Sequence, residues 1–147
     1  MATTRGRTAR ILLVEDNPDD VDLVLAAFRE CGTLHQFYVV ENGPDALAFL
    51  RRQGNHSDAP TPDLILLDLN LPKQPGHEVL ANIKSDSSLR VIPVVVLTSS
   101  AAESDIRRSY ELAANGYVTK PADLDEFLRF VRAIDSFWCD VVTLPRH

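Results

Sequence analysis

Residues able to do chemistry stand directly after short apolar runs at four places. Glu15-Asp16 follow Ile11 to Val14, Asp68 follows Leu64 to Leu67, Thr98-Ser99 follow Val91 to Leu97, and Thr119-Lys120 follow Tyr117-Val118. Clustered carboxylates repel one another unless something cationic sits among them. Hard oxygen ligands suit Mg²⁺, which keeps several waters and takes one or two protein carboxylates plus phosphate oxygens. A carboxylate in such a place, with an ammonium and a hydroxyl nearby, meets the needs of phosphoryl transfer. Asp68 would be the nucleophile, and Thr98 and Lys120 would bind the phosphoryl oxygens. An acyl phosphate would then form on Asp68. The plainer alternative makes Asp68 a turn residue and Lys120 the partner of a single carboxylate.

That chemistry requires the four run ends to meet, and the pattern between them says how they can. A fifth run, Phe37 to Val40, completes the set, and the run starts lie roughly 25 to 28 residues apart. That spacing is close to the ~30 residues of a strand-helix-strand unit. The stretch Leu64 to Leu67 between breakers reads as a strand buried on both faces, as in a parallel sheet.

The intervals are helical. Val21, Val24, Leu25 and Phe28 repeat at helical spacing behind the cap Asn17 and the first-turn Pro18. Asp19 and Asp20 sit where a helix start favours negative charge, and Gly32 closes that helix. A second helix opens near Gly43-Pro44 and turns Ala46, Leu47 and Leu50 inward. A polar loop from Asn55 to Pro62 follows it. A third runs from about Gly76 to Ile83. A fourth opens on a capping box, Ser100-Ala101-Ala102-Glu103, and stops at Asn115-Gly116. The fifth runs from near Asp123 to about Phe137. Strands alternating with helices predict a doubly wound α/β fold with a five-stranded parallel sheet and five helices. Its strand ends share one edge, where ligands bind in such sheets.

Bulk properties narrow the partners. The 147 residues suit one domain with a full core. A formal net charge of -6 argues against nucleic acid. No apolar run approaches the ~20 residues of a membrane span, and no signal-peptide core opens the chain. Cys31 and Cys139 lack metal-ligand or CxxC spacing and read as reduced thiols. His35, His56, His77 and His147 are scattered, each expected at the surface. The expectation is a cytoplasmic domain that binds neither nucleic acid nor membrane.

Four motifs in order carry a resemblance: Leu12-Leu13-Val14-Glu15-Asp16-Asn17, Asp63-Leu64-Ile65-Leu66-Leu67-Asp68-Leu69-Asn70-Leu71-Pro72, Val95-Val96-Leu97-Thr98-Ser99 and Lys120-Pro121. Together they resemble the receiver domain of bacterial two-component response regulators over about residues 8–137, with 138–147 as a C-terminal extension. The resemblance implies a flavodoxin-like sheet of order 2-1-3-4-5, with Asp68 as phospho-acceptor. It also implies Mg²⁺ (or Mn²⁺) on Glu15, Asp16, Asp68 and the backbone carbonyl of Asn70. Thr98 and Tyr117 would act as the switch, and the Lys120-Pro121 peptide would be cis. The phosphodonor would be a sensor histidine kinase. The segments Pro72-Lys73 to Val79-Leu80, Ile83-Lys84-Ser85-Asp86 and Phe137-Trp138 to Leu144-Pro145 are similar to stand-alone regulators partnered with phytochrome kinases.

The last helix suggests a further partner. Leu124, Leu128, Phe130, Val131, Ile134, Phe137 and Trp138 spread over about half its circumference, wider than the stripe of a little over ~100° that a sheet covers. Phe130 and Phe137 are expected to be exposed and to form a homodimer face with Trp138, Val141, Val142 and Leu144. The alternative is that the tail folds back over them. No output domain is expected after Phe137, so the signal would pass by protein contact or phosphate relay. The chain would not be an enzyme beyond its own phosphorylation and dephosphorylation. Two other readings compete: a Mg²⁺-dependent phosphatase of the haloacid dehalogenase type, and a binding module that has lost the chemistry. The phosphatase expects an acid two residues after the nucleophile, where this chain has Asn70. Intact Glu15, Asp16, Asp68, Thr98 and Lys120 oppose the second.

Overall fold

The structure, a computed structural model, describes residues 8–32, 35–141 and 143–145, with 139–141 as backbone alone. Strands and helices alternate: β1 (Arg10–Val14), α1 (Pro18–Glu30), β2 (Gln36–Val40), α2 (Gly43–Arg51), β3 (Leu64–Leu67), α3 (Gly76–Ser85), β4 (Val94–Thr98), α4 (Glu103–Glu111), β5 (Gly116–Thr119) and α5 (Leu124–Ile134). A 3-10 turn (Gly54–His56) lies in the loop after α2, and a π-helical segment (Asp135–Val141) continues α5. All neighbouring strands are parallel, in the order β2-β1-β3-β4-β5. The expected topology is therefore the observed one.

Alternate side chains of the central strands go to opposite faces of the sheet. Leu12, Val14, Ile65, Leu67, Val94 and Val96 join α2 and α3 in one core, with Ala46, Leu50, Val79 and Ile83. Ile11, Leu13, Leu64, Leu66, Val95 and Leu97 join α1 and α5 in the other, with Phe28, Phe127 and Val131. Burial on both faces is why these strands read as unbroken apolar runs. The outer strands β2 and β5 have one neighbour each and are only part buried.

Helix starts follow local chemistry. Asn17 Oδ1 accepts from the Asp19 and Asp20 N–H groups at 2.9 and 3.3 Å, and Asn42 Oδ1 from Asp45 N–H at 2.9 Å. Gly32 follows α1 with φ +75°, the left-handed conformation glycine tolerates.

Several local expectations change. The capping box does not form: α4 starts at Glu103 behind Ala102, with no side-chain cap. Ser100 Oγ instead donates to Asp105 Oδ2 at 2.6 Å and accepts from Ala102 N–H at 3.2 Å, so it serves the loop. Helix α4 also ends earlier than expected, at Glu111: Ala113 takes a left-handed φ of 71°, and Asn115 beyond it serves β4, its Oδ1 accepting from Val94 N–H at 2.9 Å. The run Val91 to Leu97 is not all strand. Residues 87–92 form turns that leave Val91 exposed, and β4 begins after Pro93. The α5 helix gives way to the π-helical segment at Asp135, and the expected boundary between residues 137 and 138 falls inside that segment. No peptide among the described residues is cis, so Lys120-Pro121 takes the trans form that is the lower in energy for ordinary X–Pro bonds.

Candidate functional site

Register brings the acids together. Val14 stands opposite Leu67 in the β1–β3 pair, so Glu15 and Asp68 leave neighbouring strands side by side. Glu15 N–H donates to the Val40 carbonyl and Asp68 N–H to the Val14 carbonyl, each at 3.0 Å, which pins the backbone at the sheet's edge. Two residues beyond Leu13, Leu66 and Val118, the residues Glu15, Asp68 and Lys120 continue the alternation that faces α1 and α5. Oxygen atoms of Glu15, Asp16 and Asp68 lie within 4.8 Å of one another. Glu15 and Asp68 are buried, whereas Asp16 is exposed.

Lys120 is the cation among them. Its Nζ lies 2.5 Å from Glu15 Oε1, 2.8 Å from Asp20 Oδ2 and 3.5 Å from Asp68 Oδ2. Burial alone would lower the Lys120 pKa, but hydrogen bonds to Asp20 and Glu15 and the Asp68 charge hold it above the ordinary lysine value. Burial pushes the Glu15 carboxyl up to about 7, and the charge of Asp68 adds to that, against hydrogen bonds from Lys120 and the Asn17 N–H. A group that is this costly to ionise in place calls for a further positive charge. One ammonium facing four carboxylates leaves an excess of negative charge, and oxygen donors of this kind suit a hard divalent cation. The residues present therefore fit such an ion.

Asp68 Oδ1 accepts from Asn70 N–H at 3.2 Å, leaving Oδ2 toward Lys120. The loop behind it turns on Gly76, whose N–H donates to the Leu69 carbonyl at 2.9 Å. Thr98 is fully buried, and its Oγ1 has no hydrogen-bond partner among the described residues. A buried hydroxyl in that state fits an acceptor oxygen that arrives from outside the chain. Lys120 N–H donates to the Thr98 carbonyl at 2.7 Å, tying the two strand ends together.

Of the expected site residues, Glu15, Asp16, Asp68 and Lys120 converge, and Thr98 and Asn70 flank them. Tyr117 is not among the acids. It sits on the α2–α3 face, with its hydroxyl donating to the Ser100 carbonyl at 2.9 Å. Burial, with the Asp105 and Asp68 charges, raises its pKa against the Ser100 hydrogen bond, so it remains a neutral donor. Asp20 is the site residue that helix-start reasoning missed. The available signal was its place in the first turn of α1, directly after the Glu15-Asp16 strand end.

The expected dimer face is altered. Phe137 is 52% exposed, but Phe130 and Trp138 are half-buried against the α1–α5 core. Leu144 is 3% exposed within the single chain. Leu144 is thus buried without a second copy, while Phe137 stays uncovered. The side chain of Val141 lies outside the described residues, as does Val142. His35 is likewise not a surface residue. Its Nδ1 accepts from Ala9 N–H at 2.9 Å, and its Nε2 lies 2.6 Å from Asp135 Oδ1.

A parallel sheet of this order, with acids, a lysine and a buried hydroxyl at its carboxyl edge, defines a class. The family model of the response regulator receiver domain matches residues 11–132, and the chain belongs to that family. It is 48% identical over 135 residues to the response regulator Rcp1 of Synechocystis sp. (strain ATCC 27184 / PCC 6803 / Kazusa), covering 92% of each chain. Among solved structures it resembles the phosphorylated cyanobacterial phytochrome response regulator RcpA, with a TM-score of 0.90 and 47% identity over 95% of this chain and 100% of that one. The Mn²⁺-bound form of Rcp1 gives a TM-score of 0.88 at 47% identity, over 94% of this chain and 99% of that one.

Proposed function

We propose that this receiver takes a phosphoryl group from a histidine kinase onto Asp68 and passes the change on by protein contact. The observation that carries the reading is the meeting of Glu15, Asp16 and Asp68 within 4.8 Å, with Lys120 Nζ 3.5 Å from Asp68 Oδ2. Asp68 Oδ2 bonds to phosphorus as the donor's bond to phosphorus breaks, and the electron pair leaves with the donor. Mg²⁺ or Mn²⁺ on Glu15, Asp16, Asp68 and the Asn70 carbonyl would supply positive charge to the phosphoryl oxygens. Lys120 pairs with one of those oxygens, and the unpartnered Thr98 hydroxyl donates to another. The movement of Thr98 releases the Ser99-Ser100 loop held by Tyr117, which makes Thr98 and Tyr117 the switch. The chain catalyses only its own phosphorylation and dephosphorylation.

The kinase is a phytochrome: RcpA, a cyanobacterial phytochrome response regulator, supports that partner at 47% identity. No helix among the described residues is long and apolar enough to cross a membrane, in keeping with a partner met in the cytoplasm. A homodimer through α5 and the π-helical segment after it would use Leu124 and Phe137, the two large apolar side chains exposed there among the described residues. Residues 8–137 act as the receiver, and 138–147 extend it.

Incubation with acetyl phosphate and Mg²⁺, followed by intact-mass measurement, tests the proposal. One added phosphoryl group, absent from Asp68→Asn, is the expected result. Rapid multiple turnover of added phosphoesters would instead make the chain a phosphatase, and no adduct would make it a binding module.

A further inference from the structure

Asp20 has a geometry that a helix-start carboxylate does not need. We propose that Asp20 is a positioning residue that holds the Lys120 ammonium back from the attacking oxygen of Asp68 until a phosphoryl group arrives. The proposal rests on the reading of Asp68 as phospho-acceptor.

An ammonium has three donors, and the distances rank their acceptors. Glu15 and Asp20 are in full hydrogen-bond contact at 2.5 and 2.8 Å, whereas Asp68 Oδ2 at 3.5 Å is at the limit. Asp20 is held from behind. It is the third residue of α1, after Pro18, and its N–H is capped by Asn17. Its carboxylate therefore points from a rigid helix turn, not from a loop. A small cavity lined by Asp20, Leu23, Val24, Lys120, Pro121 and Phe127 gives the lysine stem room on the α1–α5 side.

The two tight partners have different fates. Glu15 belongs to the carboxylates that can share a cation, and Asp20 does not. Once Glu15 turns to a cation, Asp20 is the close acceptor left to the ammonium. Without it, the ammonium closes the gap to Asp68 Oδ2. The Oδ1 atom already accepts from Asn70 N–H, so both oxygens would then carry a close donor, and the ammonium would draw electron density from the oxygen that must attack phosphorus. Asp20 should therefore speed the arrival of phosphate and have little part in its loss. In the acetyl phosphate reaction, Asp68 Oδ2 forms the new bond to phosphorus and acetate leaves with the electron pair.

The test measures initial phosphorylation rates by intact mass in the full chain with Mg²⁺ and acetyl phosphate. Asp20→Asn should slow phosphorylation about tenfold, in line with the cost of misplacing one group at a reacting centre. Asp20→Glu should restore most of the rate. Decay of the phosphorylated form should stay within about twofold of wild type. In a Lys120→Met background, adding Asp20→Asn should change nothing, because a residue that acts through another shows no separate effect once that residue is gone. Asp20→Ser, with melting curves for all variants, separates a folding defect from a rate effect. An undiminished rate in Asp20→Asn would overturn the proposal, as would a loss that persists in the Lys120→Met background. A wild-type chain that takes no phosphate, or an adduct that survives Asp68→Asn, would instead remove the phospho-acceptor reading itself.

Discussion

Glu15 carries the most consequential charge of the site. Its carboxyl is raised from an ordinary value of 4.5 to about 7, first by burial. Between those values the folded chain holds a proton that the unfolded chain has released, so metal-free stability falls as pH rises through that window. A bound cation needs the ionised form and expels the proton. Affinity for Mg²⁺ should therefore rise steeply as pH is raised from about 6 to 8, with proton release greatest near the lower end. Titration calorimetry in buffers of different ionisation enthalpy reads both; a pH-independent affinity would contradict the burial argument. Gly76 is the second critical residue. A Cβ there would lie 2.5 Å from Leu69 Cα and closer still to the Asp68 carbonyl oxygen, and both are backbone atoms that cannot step aside. Gly76→Ala should cost about 1–3 kcal/mol or more, as overpacking does, and should slow phosphorylation by shifting Asp68. Urea unfolding and the acetyl phosphate assay measure the two effects.

At the scale of elements, α5 shows how a stripe can be misplaced by one residue. The buried positions are Phe127, Val131 and Ile134, at i, i+4 and i+7. Periodicity counts Leu124 in the apolar stripe and does not single out Phe127, whereas Leu124 is 56% exposed and Phe127 is buried. The apolar residues of this helix exceed what the sheet can cover, so periodicity leaves its rotation undecided. Phe127→Ala should cost about 3–5 kcal/mol, the usual loss for a buried phenylalanine. Phe137→Ala should stay within about 0.5 kcal/mol, as an exposed position does. Denaturant midpoints of the two variants decide which face is buried. The π-helical segment beyond α5 is tied to the residue before β2 by His35 and Asp135, whose side chains are 4% and 3% exposed. An Nδ1 atom that accepts from Ala9 places the ring proton on Nε2, which donates to the carboxylate. His35→Ala should lose about 1.5–3 kcal/mol, the worth of a hydrogen bond to a charged group. Equilibrium unfolding of that variant measures the loss, and Asp135→Asn is its companion.

For the molecule as a whole, the proposed association of two copies through α5 and the segment after it is tested by sedimentation. Phe137 is the cleaner probe, because Phe130 contributes to its own chain's core. Phe137→Asp should lower the sedimenting mass from dimer to monomer while leaving the melting curve in place. An unchanged mass would remove the dimer from this face. The topology and the catalytic edge were legible beforehand because each rests on a short-range rule. Buried strands read as apolar runs, and the residues that end parallel strands must share an edge. From this the chain alone determined the sheet, its order through resemblance, and the meeting of Glu15, Asp16, Asp68 and Lys120. Tertiary structure alone decided which face of α5 turns inward, that Leu144 is buried within the single chain, that His35 is buried against Asp135, and that Asp20 shares Lys120 with Glu15. Each of those depends on the distance between elements far apart in sequence, which the spacing of residues along the chain does not encode.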